Sequence, residues 1–227
     1  DFVDGTAPET WPLLRRLVGI DFTNGRDKQL IAFAHAEPTA WLNALESCAA
    51  AAGKRLMSFR LFPADLPPAE IEQQVMTRHG LRPIFVMRKQ IDVYISLRKA
   101  VELAKWQGFD TTGVKVRLDA GRFEEWLNEH ESWYRYWKGY FERRFIPCPV
   151  VRYELDIDQP ADRLLRRFAA IAAQVGITLV SPASITHTGL EKQDRSNSMI
   201  DKVSNWAEFS RDIFSRGLER RAFGYPL

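Results

Sequence analysis

The chain alternates short apolar runs with amphipathic stretches of helical length, and this alternation limits the folds open to it. "LIAFAH" (30–35), "KRLMSFRLF" (54–62), "PIFVM" (83–87) and "PVVRYEL" (149–155) have strand length and are flanked by turn or helix signals, as strands buried on both faces do. Helical stretches lie between them. "EPTAWLNALESCAAAAG" carries Pro38 near its start and Gly53 just past its end, "PAEIEQQVMTRHG" is stopped by Gly80, and residues 161–175 are stopped by Gly176. Proline inside a helix start and glycine beyond its end follow from the unpaired backbone groups at helix termini. Further helices are expected near 11–18, from the "RKQID" stretch to about 106, over 121–144 and near 203–216. Such βα units predict an α/β fold, a helix-rich, doubly wound parallel sheet with helices on both faces.

The 227 residues, 45% hydrophobic and 27% charged, are enough for one domain with a substantial core. Its 32 basic and 29 acidic residues are interspersed and leave a net charge of only +3. That balance gives no case for a nucleic-acid partner but allows a local basic pocket for an anionic small molecule. Two cysteines, Cys48 and Cys148, make a disulfide framework or cysteine-based zinc site unexpected. His35, His79, His130 and His187 show no ligand spacing, so no metal is expected either. No run nears the roughly 18 apolar residues of a membrane span, and no charged-then-apolar leader opens the chain. A soluble, cytoplasmic protein is the expectation, and a homo-oligomer is compatible with it.

"VMRKQIDVYISLRKA" (86–100) carries the most chemical information. Arg88 follows an apolar strand, Asp92 falls four residues later at a helix start, and Ser96 four beyond that. In an open α/β sheet, ligands sit outside the carboxyl ends of strands, where Arg88 is placed. A planar guanidinium and an early-helix hydroxyl suit phosphate oxygens, and Asp92 suits a helix cap. Read alone, the same residues are equally a cap, a surface charge and a helix filler.

"RKQIDVYIS" resembles the 3′-phosphate-binding segment of sulfotransferases that use 3′-phosphoadenosine 5′-phosphosulfate, where a strand-end arginine is followed by D-x3-S at the same offsets. "PVVRYELD" is similar to the later strand of these enzymes, which commonly ends in a Tyr-Glu pair. "EKQDRSNSMIDKVSNWAEF" is similar to the carboxy-terminal segment of bacterial carbohydrate-type members. The resemblance spans residues 54–210, and the first motif is the specific one. It implies a P-loop-like fold and transfer of a sulfuryl group to a hydroxyl of a carbohydrate or glycolipid acceptor, with the nucleotide as co-substrate and no metal needed. It also implies that Arg88 and Ser96 bind the donor's 3′-phosphate, and that Lys192 and Arg195 close over the nucleotide from a polar loop.

One departure from the family stands out. Members begin with a strand and a basic Gly/Ser/Thr-rich loop that cradles the 5′-phosphosulfate, by the anion-binding logic of helix N-termini. Neither "DGTAPET" nor "TNGRDK" fits that pattern, and the expectation is that this strand-loop-helix unit lies upstream of Asp1. Glu37 and His35, in "AHAEP" after an apolar run, are the expected bases for the acceptor hydroxyl; a helix-start carboxylate and a core histidine are their plainer readings. Phe123, Trp126, Trp133, Tyr134, Trp137, Tyr140 and Phe141 fit a buried helix face. Trp133 or Tyr134 is left over from one narrow stripe, to stack on an acceptor sugar. The rival readings are another nucleotide enzyme such as a small kinase, and a non-catalytic nucleotide- or glycan-binding protein on the same fold.

Overall fold

The computed structural model describes residues 8–25, 27–63, 65–106, 109–178, 194–196 and 198–227. The chain divides into two compact units, Asp1–Leu81 and Arg82–Leu227. None of its described helices is long and apolar enough to cross a membrane.

The first unit is helical among its described residues. A 3-10 turn (Pro8–Thr10) leads into α1 (Trp11–Val18), followed by α2 (Lys28–Ala36), α3 (Pro38–Ala51) and α4 (Pro68–Glu70), which continues as a π-helical turn, Ile71–Val75. α1, α2 and this last turn all pack on α3. Leu14, Leu30, Trp41, Leu42, Ile71 and Val75 are fully buried in this unit. Arg15 fastens the loop after α1, donating from Nε to the Phe22 carbonyl at 2.7 Å with its guanidinium over the Phe22 ring.

Two strand expectations fail here. "LIAFAH" belongs to α2, because the Asp27 carboxylate caps that helix, accepting from the Gln29 and Leu30 amides at 2.9 and 3.4 Å. With the cap in place, Leu30 and Ala34 fall on one buried helical face, and the alanines favour helix over strand. "KRLMSFRLF" forms no strand, although Met57, Phe59 and Leu61 are half-buried with the period of two that suggested one. Alternation fixes which side chains turn inward, but a strand also needs a partner for its ladder.

Among its described residues the second unit has two short parallel strands and seven helices or helical turns. β1 (Phe85–Met87) pairs with β2 (Val150–Arg152) in the register Phe85↔Val150, Val86↔Val151 and Met87↔Arg152. Between them lie α5 (Gln90–Leu103) and the long α6 (Ala120–Arg143). After β2 come a π-helical turn (Tyr153–Ile157), α7 (Ala161–Gln174), α8 (Met199–Lys202), α9 (Trp206–Ser215) and α10 (Glu219–Ala222). The described residues therefore form a helix-rich structure with a small two-stranded parallel sheet.

Its core joins α5, α6 and α9 through Ile91, Tyr94, Ile95, Phe123, Leu127, Phe209 and Ile213. Tyr94, Phe123 and Trp126 pack ring against ring at 5.0–6.1 Å, geometry that adds to their area burial. Asp119 starts α6 by accepting from the Arg122 amide at 2.9 Å. Val116 makes an isolated parallel bridge to Val203, so the loop before α6 is tied to the chain before α9.

α3 and α7 end where glycine stops were expected: Gly53 and Gly176 have φ of +66° and +73°, values that cost glycine no Cβ clash. α5 departs from this rule. Its closing residue is Ala104 at φ +51°, an exposed alanine in left-handed backbone. Ala104→Gly is expected to stabilise the protein by about 1 kcal/mol by relieving that conformation, read as a higher urea midpoint at unchanged slope.

Candidate functional site

β1 and β2 run parallel, so their carboxyl ends lie side by side. Arg88 leaves β1 there, and Tyr153 and Glu154 leave β2, which brings together two of the stretches singled out in the sequence. The Arg88 guanidinium lies over the Tyr153 ring, 4.8 Å from its centroid, a cation-π distance. Its Nε is 3.7 Å from Glu154 Oε1, too far for a hydrogen bond. That oxygen accepts from the Lys89 amide at 3.2 Å. Among the described residues, Arg88 Nε and Glu154 Oε2 are both buried without a hydrogen-bond partner.

The carboxy-terminal residues lie against the same strand ends. Arg152 lies over the Tyr225 ring at 5.6 Å. Burial, reinforced by the nearby Glu154 carboxylate, holds the Tyr225 phenol above its ordinary pKa. The Gly224 carbonyl accepts from the Gln90 amide, the first of α5, at 3.0 Å.

Gln90 is completely buried. Its Nε2 donates to Glu131 Oε1 at 2.9 Å and to the Arg221 carbonyl at 3.1 Å. Both partners only accept, so the amide orientation is settled, and Oε1 is left to accept from His130 Nδ1 at 3.2 Å. Neutral His130 therefore carries its proton on Nδ1. Arg221 completes the network with a two-pronged contact to Glu131, Nε to Oε1 at 2.9 Å and Nη2 to Oε2 at 3.0 Å. Burial depresses the His130 pKa to about 4, against the opposing pull of Glu131.

The third stretch runs along α5. Asp92, Ser96 and Lys99 stand at i, i+4 and i+7, on one side of that helix. Lys202 Nζ donates to Asp92 Oδ1 at 3.0 Å. Lys99, 2% exposed, donates to Asp194 Oδ2 at 2.8 Å and to the Thr111 carbonyl at 3.1 Å. The described residues among 194–202 thus run antiparallel to α5, pinned near both ends, with the exposed Ser96 between the two ion pairs. Burial works to raise the Asp194 pKa, but hydrogen bonds from Lys99 and Ser196 reverse it, and the carboxyl sits below its ordinary value.

Asp92 does not cap α5 as expected. Lys89 holds the cap position without a side-chain bond, and the carboxylate of Asp92 is spent on Lys202. The Arg195 amide donates to Thr112 Oγ1 at 3.1 Å, its side chain exposed; Lys192 lies outside the described residues. Glu37 and His35 belong to the first unit, and both are exposed. They do not follow a strand: His35 is in the last turn of α2, and Glu37 joins α2 to α3 through its backbone.

Along α6, Tyr134 is structural, donating to the Val86 carbonyl at 2.9 Å, and burial raises its pKa to about 12. Trp133 is half-buried, its Nε1 without a hydrogen-bond partner among the described residues. Sequence reasoning missed Lys99, Asp194 and Lys202. Only Lys99 left a trace, its helical spacing from Asp92 and Ser96, since pairing across about a hundred residues has no sequence signature. Glu154 was noted only as half of a Tyr-Glu pair. Comparison with family models, curated proteins and solved structures finds no match for the chain.

Two outcomes follow from the buried charges. Lys99→Met, which strands Asp194, is expected to lower the unfolding free energy by about 3 kcal/mol in urea denaturation. His130 titrates at 6.5 when unfolded and near 4 when folded, so the unfolded chain takes up its proton first as pH falls. Its contribution is intact above pH 6.5 and is lost towards pH 4, a decline of about 3 kcal/mol. Urea midpoints measured from pH 7.5 to 4.5 read this loss, and His130→Gln is expected to show a shallower decline.

Proposed function

We propose that this chain is a sulfotransferase domain that binds 3′-phosphoadenosine 5′-phosphosulfate and delivers its sulfuryl group to a hydroxyl of a carbohydrate or glycolipid acceptor. The reading is carried by one observation. Of the three stretches that resemble this family, far apart in sequence, the second meets Arg88 of the first at the carboxyl ends of β1 and β2, and the described part of the third lies along α5, the helix that follows Arg88. On this reading the strand pair belongs to a P-loop-like doubly wound sheet, and ligands collect at that edge.

Arg88 and Ser96 hold the 3′-phosphate in this proposal. Arg88 fits the part because its guanidinium lies over the Tyr153 ring yet is not engaged in a close hydrogen bond with Glu154. Ser96 fits because its hydroxyl is exposed on the face flanked by the two ion pairs. Arg195, in the segment laid against α5, and Lys192 close over the nucleotide. The reaction is an in-line displacement: the acceptor oxygen bonds to sulfur as the bond to the leaving phosphate breaks, and a base takes the acceptor proton. Glu37 is retained as that base, with His35 second, on sequence grounds alone.

Calorimetry with 3′-phosphoadenosine 5′-phosphate tests the donor end. Low-micromolar binding is expected, and Arg88→Ala is expected to weaken it more than tenfold, since a charge-assisted phosphate contact contributes about 1.5 to 3 kcal/mol. Equal binding by wild type and variant, or equal affinity for adenosine 5′-phosphate, overturns the assignment. Nucleotide binding without sulfate transfer to any carbohydrate acceptor favours a non-catalytic binding protein.

A further inference from the structure

We infer that Glu154 is a built-in competitor for Arg88, a fixed counter-charge that a ligand phosphate must displace and that thereby sets the affinity of the crevice for anions. This rests on the phosphate-binding role proposed for Arg88 and adds to it the residue that opposes binding.

The Arg88–Glu154 pair differs from the closed long-range ion pairs of the same unit, and shares its open spacing with the i,i+4 helical pairs Arg98–Glu102, Lys138–Glu142 and Arg135–Glu131 at 3.4–4.0 Å. Lys99–Asp194, Lys202–Asp92, Arg221–Glu131 and Arg167–Asp156 close to between 2.7 and 3.0 Å, the range of charge-assisted hydrogen bonds. Arg88 and Glu154 stand 3.7 Å apart, with side chains only 32% and 22% exposed. Each keeps a buried polar atom unsatisfied among the described residues, Nε on one and Oε2 on the other. Two partly buried opposite charges normally close on each other, because an unmade bond there is costly.

Separate anchors keep them apart. Glu154 is tethered through Oε1 to the Lys89 amide, with the Tyr225 phenol also beside its carboxylate, and Arg88 lies over the Tyr153 ring. The carboxylate is therefore held near the guanidinium without consuming its donors. It lowers the positive potential felt by an incoming anion, and the guanidinium remains able to turn two N–H groups towards phosphate oxygens.

The two roles a glutamate can have here make opposite demands. A residue that only caps the Lys89 amide is replaced without effect on binding by glutamine, whose carbonyl oxygen also accepts. One that orients Arg88 for its ligand loses affinity on the same change. A competitor gains affinity, because its charge is gone while its hydrogen bond stays.

The experiment is calorimetric titration of inorganic phosphate and of 3′-phosphoadenosine 5′-phosphate into wild type, Glu154→Gln, Glu154→Ala, Arg88→Ala and the Arg88→Ala/Glu154→Gln double variant. Thermal unfolding of each protein verifies folding. Glu154→Gln is expected to bind both probes about tenfold tighter than wild type, and Glu154→Ala supplies the same comparison if glutamine disturbs the Lys89 contact. The double variant is expected to bind no better than Arg88→Ala. Unchanged or weaker binding by both Glu154 variants, with Arg88→Ala still impaired, overturns the competitor and leaves the phosphate site standing. Wild-type affinity in Arg88→Ala overturns the site itself and the competitor with it.

Discussion

The second unit depends on what surrounds one uncharged side chain. Gln90 has no exposed surface, and its amide group and backbone N–H together meet Glu131 and His130 of α6, the Arg221 carbonyl and the Gly224 carbonyl. A buried primary amide stranded from its partners is expensive, so the arrangement is close to all-or-none. It fixes where α5 begins relative to α6 and the end of the chain. Arg88 is two residues earlier, so its approach to Tyr153 and Glu154 is set by the same junction.

The sequence was most readable where local rules act alone. The glycine stops at Gly53 and Gly176 and the helical spans of α3, α5, α6 and α7 are decided within a few residues, by propensity, periodicity and positive φ. It misled where two local readings compete. "LIAFAH" is apolar enough for a strand, but the carboxylate of Asp27, three residues before that run, turns it into a helix. "KRLMSFRLF" has the right alternation without a ladder, because strand formation is settled by partners elsewhere in the chain.

The candidate site shows the same division. Arg88 at a strand end was legible, since an apolar run followed by a cation is a local signal. The ion pairs that press residues 194–202 against α5 were not, because Asp92 and Lys202 are 110 positions apart and Lys99 and Asp194 are 95 apart. Asp92 illustrates the cost of reading locally: its place in the first turn suggests a cap, yet a distant ammonium takes the carboxylate. The contact of Tyr153 and Glu154 with Arg88, and of the described part of the third stretch with α5, could be read only from the structure.

The hydrogen bond from Gln90 Nε2 to the Arg221 carbonyl joins positions 131 apart, and this separation bears on when the crevice comes into being. A chain growing from its amino end makes β1, α5 and α6 long before it makes the residues that complete their junction. Until then the Gln90 side chain lacks its Arg221 acceptor and its backbone amide, the first of α5, lacks the Gly224 carbonyl. Contacts of such long range form slowly and late. The crevice is thus a product of the finished chain, and pulsed hydrogen exchange during refolding should find the Gln90 amide protected after those in the middle of α6.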